Sequence, residues 1–380
     1  MKKKYYLFIF LLIFILNAKI QYLIFIFIVL IYFFNVIEGK FKIKKIGNGD
    51  YIVFAFLVIH IYGIIRGIIV GNELRYIVSN FAGIFVYFTY FIILSLKLEF
   101  YKLMKLIYFG IYIYCLFIFL RVVFNIQIFD PILDLKIGSA SSGQSRLFCP
   151  IIASFGIFIG TAFYYLEKKK MLKFILNLIV PVIMFFFVAA SKGFALIFLF
   201  FIGFYLLADL RKRNKIKILL LVVILFVFYS ILKYFEYDNI LMNIFAKDDL
   251  SNVTRYEQIN FIFKELNILG HGVGATFSNY VRNENAPYAI EIVYLNLFHK
   301  YGIFGIVYIY GIVFAFSKLL KQYKSNKNRK TVLELIGIMC YSIAALGNPI
   351  LFAPTFVTLN CIVLYYINYN KEPWFKNERL

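Results

Sequence analysis

The sequence predicts an all-α, polytopic integral membrane protein of about twelve transmembrane helices, with one large external loop late in the chain. Three observations predict it. Hydrophobic residues make up 63% of the 380 residues, against roughly 45–50% apolar in an ordinary soluble domain. Apolar runs follow one another from Tyr5 to Tyr369 with only short polar breaks, and a bilayer core takes roughly 20 such residues per helical span. The runs lack the polar alternation of barrel strands, so their backbone groups must be satisfied within helices.

In chain order the spans fall at 5–18, 21–37, 51–70, 78–96, 104–124, 148–166, 174–190, 193–208, 216–232, 290–316, 332–348 and 353–368. The opening MKKKYYLFIFLLIFIL has the shape of a signal peptide, yet a cut at Ala18 would put bulky Leu16 where a small residue is wanted, so an uncleaved first helix is expected. Threaded from an inside amino terminus, the cytoplasmic segments 2–4, 40–45, 97–105, 168–173, 211–217, 318–330 and the tail hold 28 of the 41 Lys and Arg residues. That bias puts both ends in the cytoplasm of a bacterial inner-membrane, multi-pass protein. No repeat or Pro/Ser-rich linker divides the chain, so residues 1–380 read as a single membrane domain. Two external loops stand out, Asn125–Leu147 and Lys233–Ala289. The second, at 233–289, is long enough for a small extramembrane cap, and SNVTRYEQINFIFKELNIL within it reads as an amphipathic helix opened by a Ser251 or Asn252 cap.

Several function classes are excluded. The net charge of +22 lies in small clusters between apolar runs, as cytoplasmic loops require, so no nucleic-acid partner is expected. Cys115, Cys149, Cys340 and Cys361 have neither paired spacing nor a nearby histidine, which argues against a disulfide framework or a zinc site. No metal and no cofactor are expected. There is no GxSxG elbow, and the LGHGVG glycines at 270, 272 and 274 are not followed by GK[ST], so they are no nucleotide loop.

Charges inside apolar runs cost roughly 2.5–3.5 kcal/mol on insertion scales and usually have a partner or a task. Arg66 and Arg121 sit near span ends and are expected to snorkel; Lys192 occupies the SKG turn between two helices, where a solvated hairpin tip is the plain alternative. Arg146 stands where the first loop enters a helix, and Arg255 begins the amphipathic helix. Arginine's fixed fork of donors suits phosphate groups, although each residue alone is more often a surface ion pair. Glu291 opens the span at 290, and His299 follows eight residues later, roughly 12 Å along a helix and about 80° around it. One reacting hydroxyl cannot touch both. Glu291, at the water-facing mouth, is the preferred base, with His299 structural or interfacial.

The segment TRYEQINFIFKELNILGHGVGATF followed by EIVYLNLFHKYGIFGIVYIY resembles the pattern of the O-antigen polymerase and ligase family: an arginine, an amphipathic helix, a Gly-x-Gly turn and a tyrosine-leucine helix ending in Gly-x-x-Gly. SRLFCPIIASFGIFIG resembles that family's Arg-Leu helix entry, and AASKGFALIF its serine-arginine-glycine hairpin with lysine substituted. Together these cover about residues 138–316. The resemblance implies a metal-independent membrane glycosyltransferase acting at the periplasmic face on an undecaprenyl-diphosphate-linked oligosaccharide. Arg146, Lys192, Arg255 and Arg282 would bind the diphosphate, with Arg146 and Arg255 stabilising its departing charge, and Glu291 would take the acceptor's proton. His271 and His299 are further candidates, and a chain-length regulator is a further partner beside the lipid bilayer. The ligase branch usually carries a histidine where this chain has Glu291, which favours an O-antigen or capsular repeat-unit polymerase over a lipid A core ligase. The alternative from another class is a lipid-linked oligosaccharide flippase, which should show pseudo-symmetric halves and charges deep in several spans.

Overall fold

The computed structural model describes residues 10–12, 16, 18–39, 50–133, 135–139, 145–148, 150–209, 229–230, 233–234, 250–278, 280, 287–325, 328–347 and 350–370. Among these the protein is helical apart from one short antiparallel pair. Helices α1 (Ala18–Ile37), α2 (Asp50–Val70), α3 (Leu74–Phe85), α4 (Phe88–Leu96), α5 (Phe100–Phe124) and α6 (Asp130–Leu133) precede strands β1 (Lys136–Ser139) and β2 (Ser145–Phe148). A 3-10 turn at Pro150–Phe155 leads into α7 (Gly156–Glu167), then α8 (Met171–Val182) with its π-helical extension to Val188, α9 (Lys192–Asp209) and α10 (Leu250–Lys264). The chain ends in α11 (Val293–Tyr301), a 3-10 turn at Gly302–Gly305, α12 (Ile306–Lys324), α13 (Arg329–Met339), α14 (Tyr341–Ala344) and α15 (Pro354–Tyr369).

Six helical stretches among the described residues are long and apolar enough to cross a bilayer: 20–37, 50–70, 74–96, 100–124, 171–188 and 293–324. Several of them are apolar on both faces. On α1, Phe25, Ile28 and Tyr32 are buried while Leu23, Phe27, Leu30 and Phe34 stand 58–70% exposed along the opposite side. A helix apolar all round yet half uncovered needs hydrocarbon as its solvent. These helices mark a membrane protein. The expected spans 5–18 and 216–232 lie largely outside the described residues.

The backbone gathers into two compact units, interleaved in sequence: residues 1–135, 258–315 and 349–380 form one, residues 136–257 and 316–348 the other. In the first, α15 is buried nearly all round and packs on α1, α3, α4 and α5. Several of its polar side chains are answered inside the unit. Asn360 donates to the Tyr87 hydroxyl (2.7 Å), Asn368 to the Tyr90 hydroxyl (2.8 Å) and Tyr365 to the Leu98 carbonyl (3.0 Å). The Tyr90 and Tyr369 hydroxyls both donate to the fully buried Asp50 carboxylate.

In the second unit, α13 packs against α7, which packs in turn against α8. Three glycines allow the first contact: a Cβ on Gly156 would lie 2.1 Å from the Gly337 carbonyl oxygen, and one on Gly160 2.2 Å from that of Leu333. This Gly-x-x-x-Gly face lets two backbones approach without a hydrophobic drive, as packing in lipid requires. At one end of the pair, Glu167 accepts from Arg329 (2.7 Å), Tyr323 (2.7 Å) and Tyr205 (3.2 Å). The β1–β2 hairpin, which pairs Gly138 with Arg146, is unexpected in a chain read as all-α. It gives the backbone of a Gly- and Ser-rich loop a ladder of its own. Beyond it, α8 changes to π geometry just after Pro181, whose missing N–H disrupts the α ladder there.

Candidate functional site

In the first unit the glycine motif is a brace. Gly270, Gly272 and Gly274 all have positive φ, between +72° and +85°, a region other residues enter at a cost. Their carbonyls and amides face two helices. From the α2 side, Tyr62 donates to the Leu269 carbonyl (2.7 Å), Arg66 Nε to that of Gly270 (3.1 Å), and Asn72, just past its end, to those of His271 (2.8 Å) and Val273 (3.0 Å). On the α11 side, the His271 and Gly272 amides donate to the carbonyls of His299 and Lys300, both at 2.8 Å. Arg66 therefore has a partner in the protein instead of only reaching for the interface.

Next to the brace lies an acid–base cluster. His299 is fully buried, its ring packed at a tilt against those of His271 (centroids 4.9 Å) and Phe277 (5.0 Å). Its Nε2 sits 3.6 Å from the Glu265 carboxylate, which also accepts the Ser278 amide (3.1 Å) and hydroxyl (2.6 Å). Partial burial would raise the Glu265 pKa, but the Ser278 donors and the His299 ring outweigh it and hold the carboxyl below its usual value. Glu291 lies just before α11 and not on it, its amide donating to the buried Gln258 side chain (3.0 Å). The helical spacing expected between Glu291 and His299 therefore does not apply.

A cavity of about 280 Å³ opens in the same unit, lined by Tyr22 of α1, by α11 along its length from Val293 to Tyr301, by the start of α15, and by Ser79, Asn80 and Gly83 of α3. Its charged residue is Lys300, which is 7% exposed. Lys300 is a candidate that sequence reasoning passes over. The available signal was Asn296 and Lys300 at i, i+4 inside the apolar run YLNLFHKYGIFG.

The second unit holds the other cations. Arg255, on α10, donates to the Asn252 side chain (3.0 Å) and to the Gly347 carbonyl (3.0 Å). Asn252 lies inside the helix as described and uses its oxygen on Arg255, in place of the expected capping role. Arg146 occupies β2, opposite Gly138, and Lys192 opens α9 after the expected turn. Arg282 lies outside the described residues; Arg146, Lys192 and Arg255 are three sequence-chosen cations placed in the second unit. In the first unit Arg121, on α5, pairs with Asp130 at 3.0 Å and also bonds Asn125, so it too has partners in the protein.

Among the described residues no group of three or more His, Cys, Asp or Glu could hold a metal ion. In comparisons with known proteins, the chain matches no family model, no curated protein and no solved structure.

Proposed function

We propose that the protein is a surface-polysaccharide polymerase of the bacterial inner membrane, which moves a growing O-antigen or capsular glycan from its undecaprenyl-diphosphate carrier onto the next lipid-linked repeat at the periplasmic face. One observation carries the reading: the arginine, helix, Gly-x-Gly and Gly-x-x-Gly segments that resemble this enzyme class lie in defined structure, with the glycine turn hydrogen-bonded to two helices. The helix is not the amphipathic one expected, since Asn252 and Gln258 are buried on it while Val253, Tyr256 and Phe263 stand exposed.

The chemistry follows from the residue types. The acceptor hydroxyl oxygen forms a bond to the donor's anomeric carbon, the bond from that carbon to the diphosphate oxygen breaks, and the electron pair stays on the diphosphate. Arg146, Arg255, Lys192 and Arg282 are assigned to that departing charge, where one well-placed donor is worth about 2.7–4 kcal/mol. Glu291 is assigned the acceptor's proton.

The accompanying topology has about twelve spans and both termini in the cytoplasm. It draws support from which residues meet inside each unit. Glu167, Tyr205, Tyr323 and Arg329 meet in the second unit, and in sequence they adjoin or fall within the basic segments 168–173, 211–217 and 318–330, which the charge bias puts on one face. Asp50, Tyr90 and Tyr369 meet in the first unit, and in sequence they stand near the basic segments 40–45, 97–105 and the tail, on the same face by the charge bias.

A deletion strain separates this reading from its rivals. Loss of a polymerase leaves single-repeat glycans on the cell surface, loss of a flippase leaves none there, and loss of a ligase leaves polymer on its carrier. In a complemented strain, Arg255→Ala should abolish the long-chain ladder at normal protein level. Unchanged ladders would remove Arg255 from the mechanism.

A further inference from the structure

We infer that the cavity around Lys300 is an anion site that takes the phosphate groups of a lipid-linked substrate. It is separate from the arginine set assigned above, and the identity of its ligand's lipid anchor rests on the polymerase reading. Four observations converge on it.

The first is the lysine itself. Its Nζ donates to Asn80 Oδ1 (2.6 Å) and, at 3.4 Å, to the Tyr288 carbonyl. An ammonium has three donors and no acceptor, so one donor remains for a ligand. Among the described residues, no carboxylate lies within salt-bridge distance of Lys300. A buried charge answered only by neutral groups is costly to keep unless it has a task.

The second is Asn296, one helical turn before Lys300 on α11 and lining the same cavity. Its Oδ1 is buried without a hydrogen-bond partner. Since the amide's oxygen and nitrogen exchange places by a simple flip, this side chain can present an N–H to an anion or accept from a protonated phosphate oxygen.

Helix polarity supplies the third. Val293 and Pro354, the first residues of α11 and α15, both line the cavity, and neither helix has a side-chain cap at its amino terminus. On α11 the uncapped first-turn N–H groups and the positive end of the helix dipole favour an anion, whereas α15, which opens with Pro354 and so has no N–H at its first position, contributes only its dipole.

The walls are the fourth. Ile84, Val293, Leu297, Leu351 and Phe352 give an apolar surround, which suits a headgroup that is charged at one end and continuous with hydrocarbon at the other. The volume lies just below the roughly 300–1,000 Å³ usual for small-molecule sites, so it fits a headgroup and not a whole oligosaccharide. A polymerase handles two carrier-linked substrates at once. With the arginines assigned to the donor, the Lys300 cavity takes the diphosphate of the acceptor.

The test is binding stoichiometry on the purified full-length protein in detergent, by calorimetry or native mass spectrometry, with farnesyl diphosphate as the probe. Wild type is expected to bind two equivalents. Lys300→Met should bind one, and so should Asn296→Asp, which places a carboxylate at i, i+4 to Lys300 and answers the charge from within. Both variants should keep the wild-type melting temperature, and Asn296→Asp guards against misfolding of the other. Two equivalents retained by both variants would overturn the inference. If Arg255→Ala also retains two while Lys300→Met drops to one, the arginine assignment fails and the cavity stands. Inorganic pyrophosphate at equal affinity would keep the anion site and overturn the lipid anchor, whereas at least tenfold weaker binding supports it.

Discussion

Replacing Gly272 by alanine tests the brace most directly, because the structure fixes what the added methyl meets. Its Cβ would lie 2.1 Å from the Gly67 nitrogen and 2.3 Å from the Gly67 Cα, where ordinary carbon contacts start near about 3.5 Å. The loop must therefore retreat from α2 by roughly 1.3 Å, far enough to break the 2.8 Å bond from Val273 to Gly63. Two costs add. Holding alanine at φ +81° costs roughly 1–2 kcal/mol, and overpacking a tight contact costs roughly 1–3 kcal/mol. Gly71→Ala is the control that separates them: its φ is +86°, yet nothing lies within 4 Å of its Cβ, so only the backbone cost applies. Thermal unfolding in detergent, followed with a thiol-reactive dye at the buried Cys361, should show Gly272→Ala destabilised at least twice as much as Gly71→Ala. In a domain of 150–250 residues each kcal/mol moves the midpoint by roughly 2–4 °C. Equal shifts for the two variants would refute the close approach, and a neutral Gly272→Ala would refute the brace.

Gly160→Ala should separate α7 from α13 by about 1 Å, since its Cβ would fall 2.2 Å from the Leu333 carbonyl, and speed dye labelling of the buried Cys340; a labelling rate equal to wild type would count against tight packing there. Because the Glu265 carboxyl is held below its usual value, the stability it contributes is fully present above the unfolded carboxylate value of about 4.3 and is lost as pH falls through the lower folded value. Melting temperature measured between pH 6 and 3 should therefore drop less steeply in Glu265→Gln than in wild type, and parallel curves would refute the coupling. In a cysteine-free background, a membrane-impermeant thiol reagent applied to intact spheroplasts should label Lys264→Cys at once and Lys168→Cys only after permeabilisation, both positions being exposed. The reverse order would invert the proposed threading.

Most of the helices were legible because apolar run length is a coarse and robust signal. The breaks within them were not. Helix α3 gives way to α4 around Val86–Tyr87, and α8 turns to π geometry beyond Pro181, so a single apolar run covers two helical segments in each case. The site was legible unevenly. The Gly-x-Gly turn could be read as a close backbone approach, but its partners on α2 could not, because Tyr62, Arg66 and Asn72 lie some two hundred residues away in sequence. Arg66 shows the limit plainly: near a span end, snorkelling and bonding a neighbouring loop look identical in sequence. Lys300 escaped notice for the opposite reason, since it adjoins a histidine and two tyrosines that read as an interfacial belt.

The two ends of α2 tie these pieces together. At one end Asp50 collects the hydroxyls of Tyr90 and Tyr369, and sixteen residues further on Arg66 meets the glycine loop. At 1.5 Å per residue those points stand roughly 24 Å apart, most of the thickness of a hydrocarbon core. Between them α2 exposes Phe54, Val58, Ile61 and Ile65, all of them apolar, while its buried face carries His60 against the Tyr301 hydroxyl at 2.8 Å. The charged groups of α2 thus stand at two levels, and between them its lipid-facing surface is apolar while its polar contacts, His60 with Tyr301 and the Phe56 carbonyl with Tyr308, are turned inward. Tyr301 immediately follows Lys300, so the level that holds the brace also holds the cavity. The brace fixes the position of the Lys300 carbonyl, through Gly272, and thereby the helix that presents its ammonium. Disturbing Gly272 should consequently weaken binding at the cavity as well as stability, a coupling that a loop serving only to connect two helices would not produce.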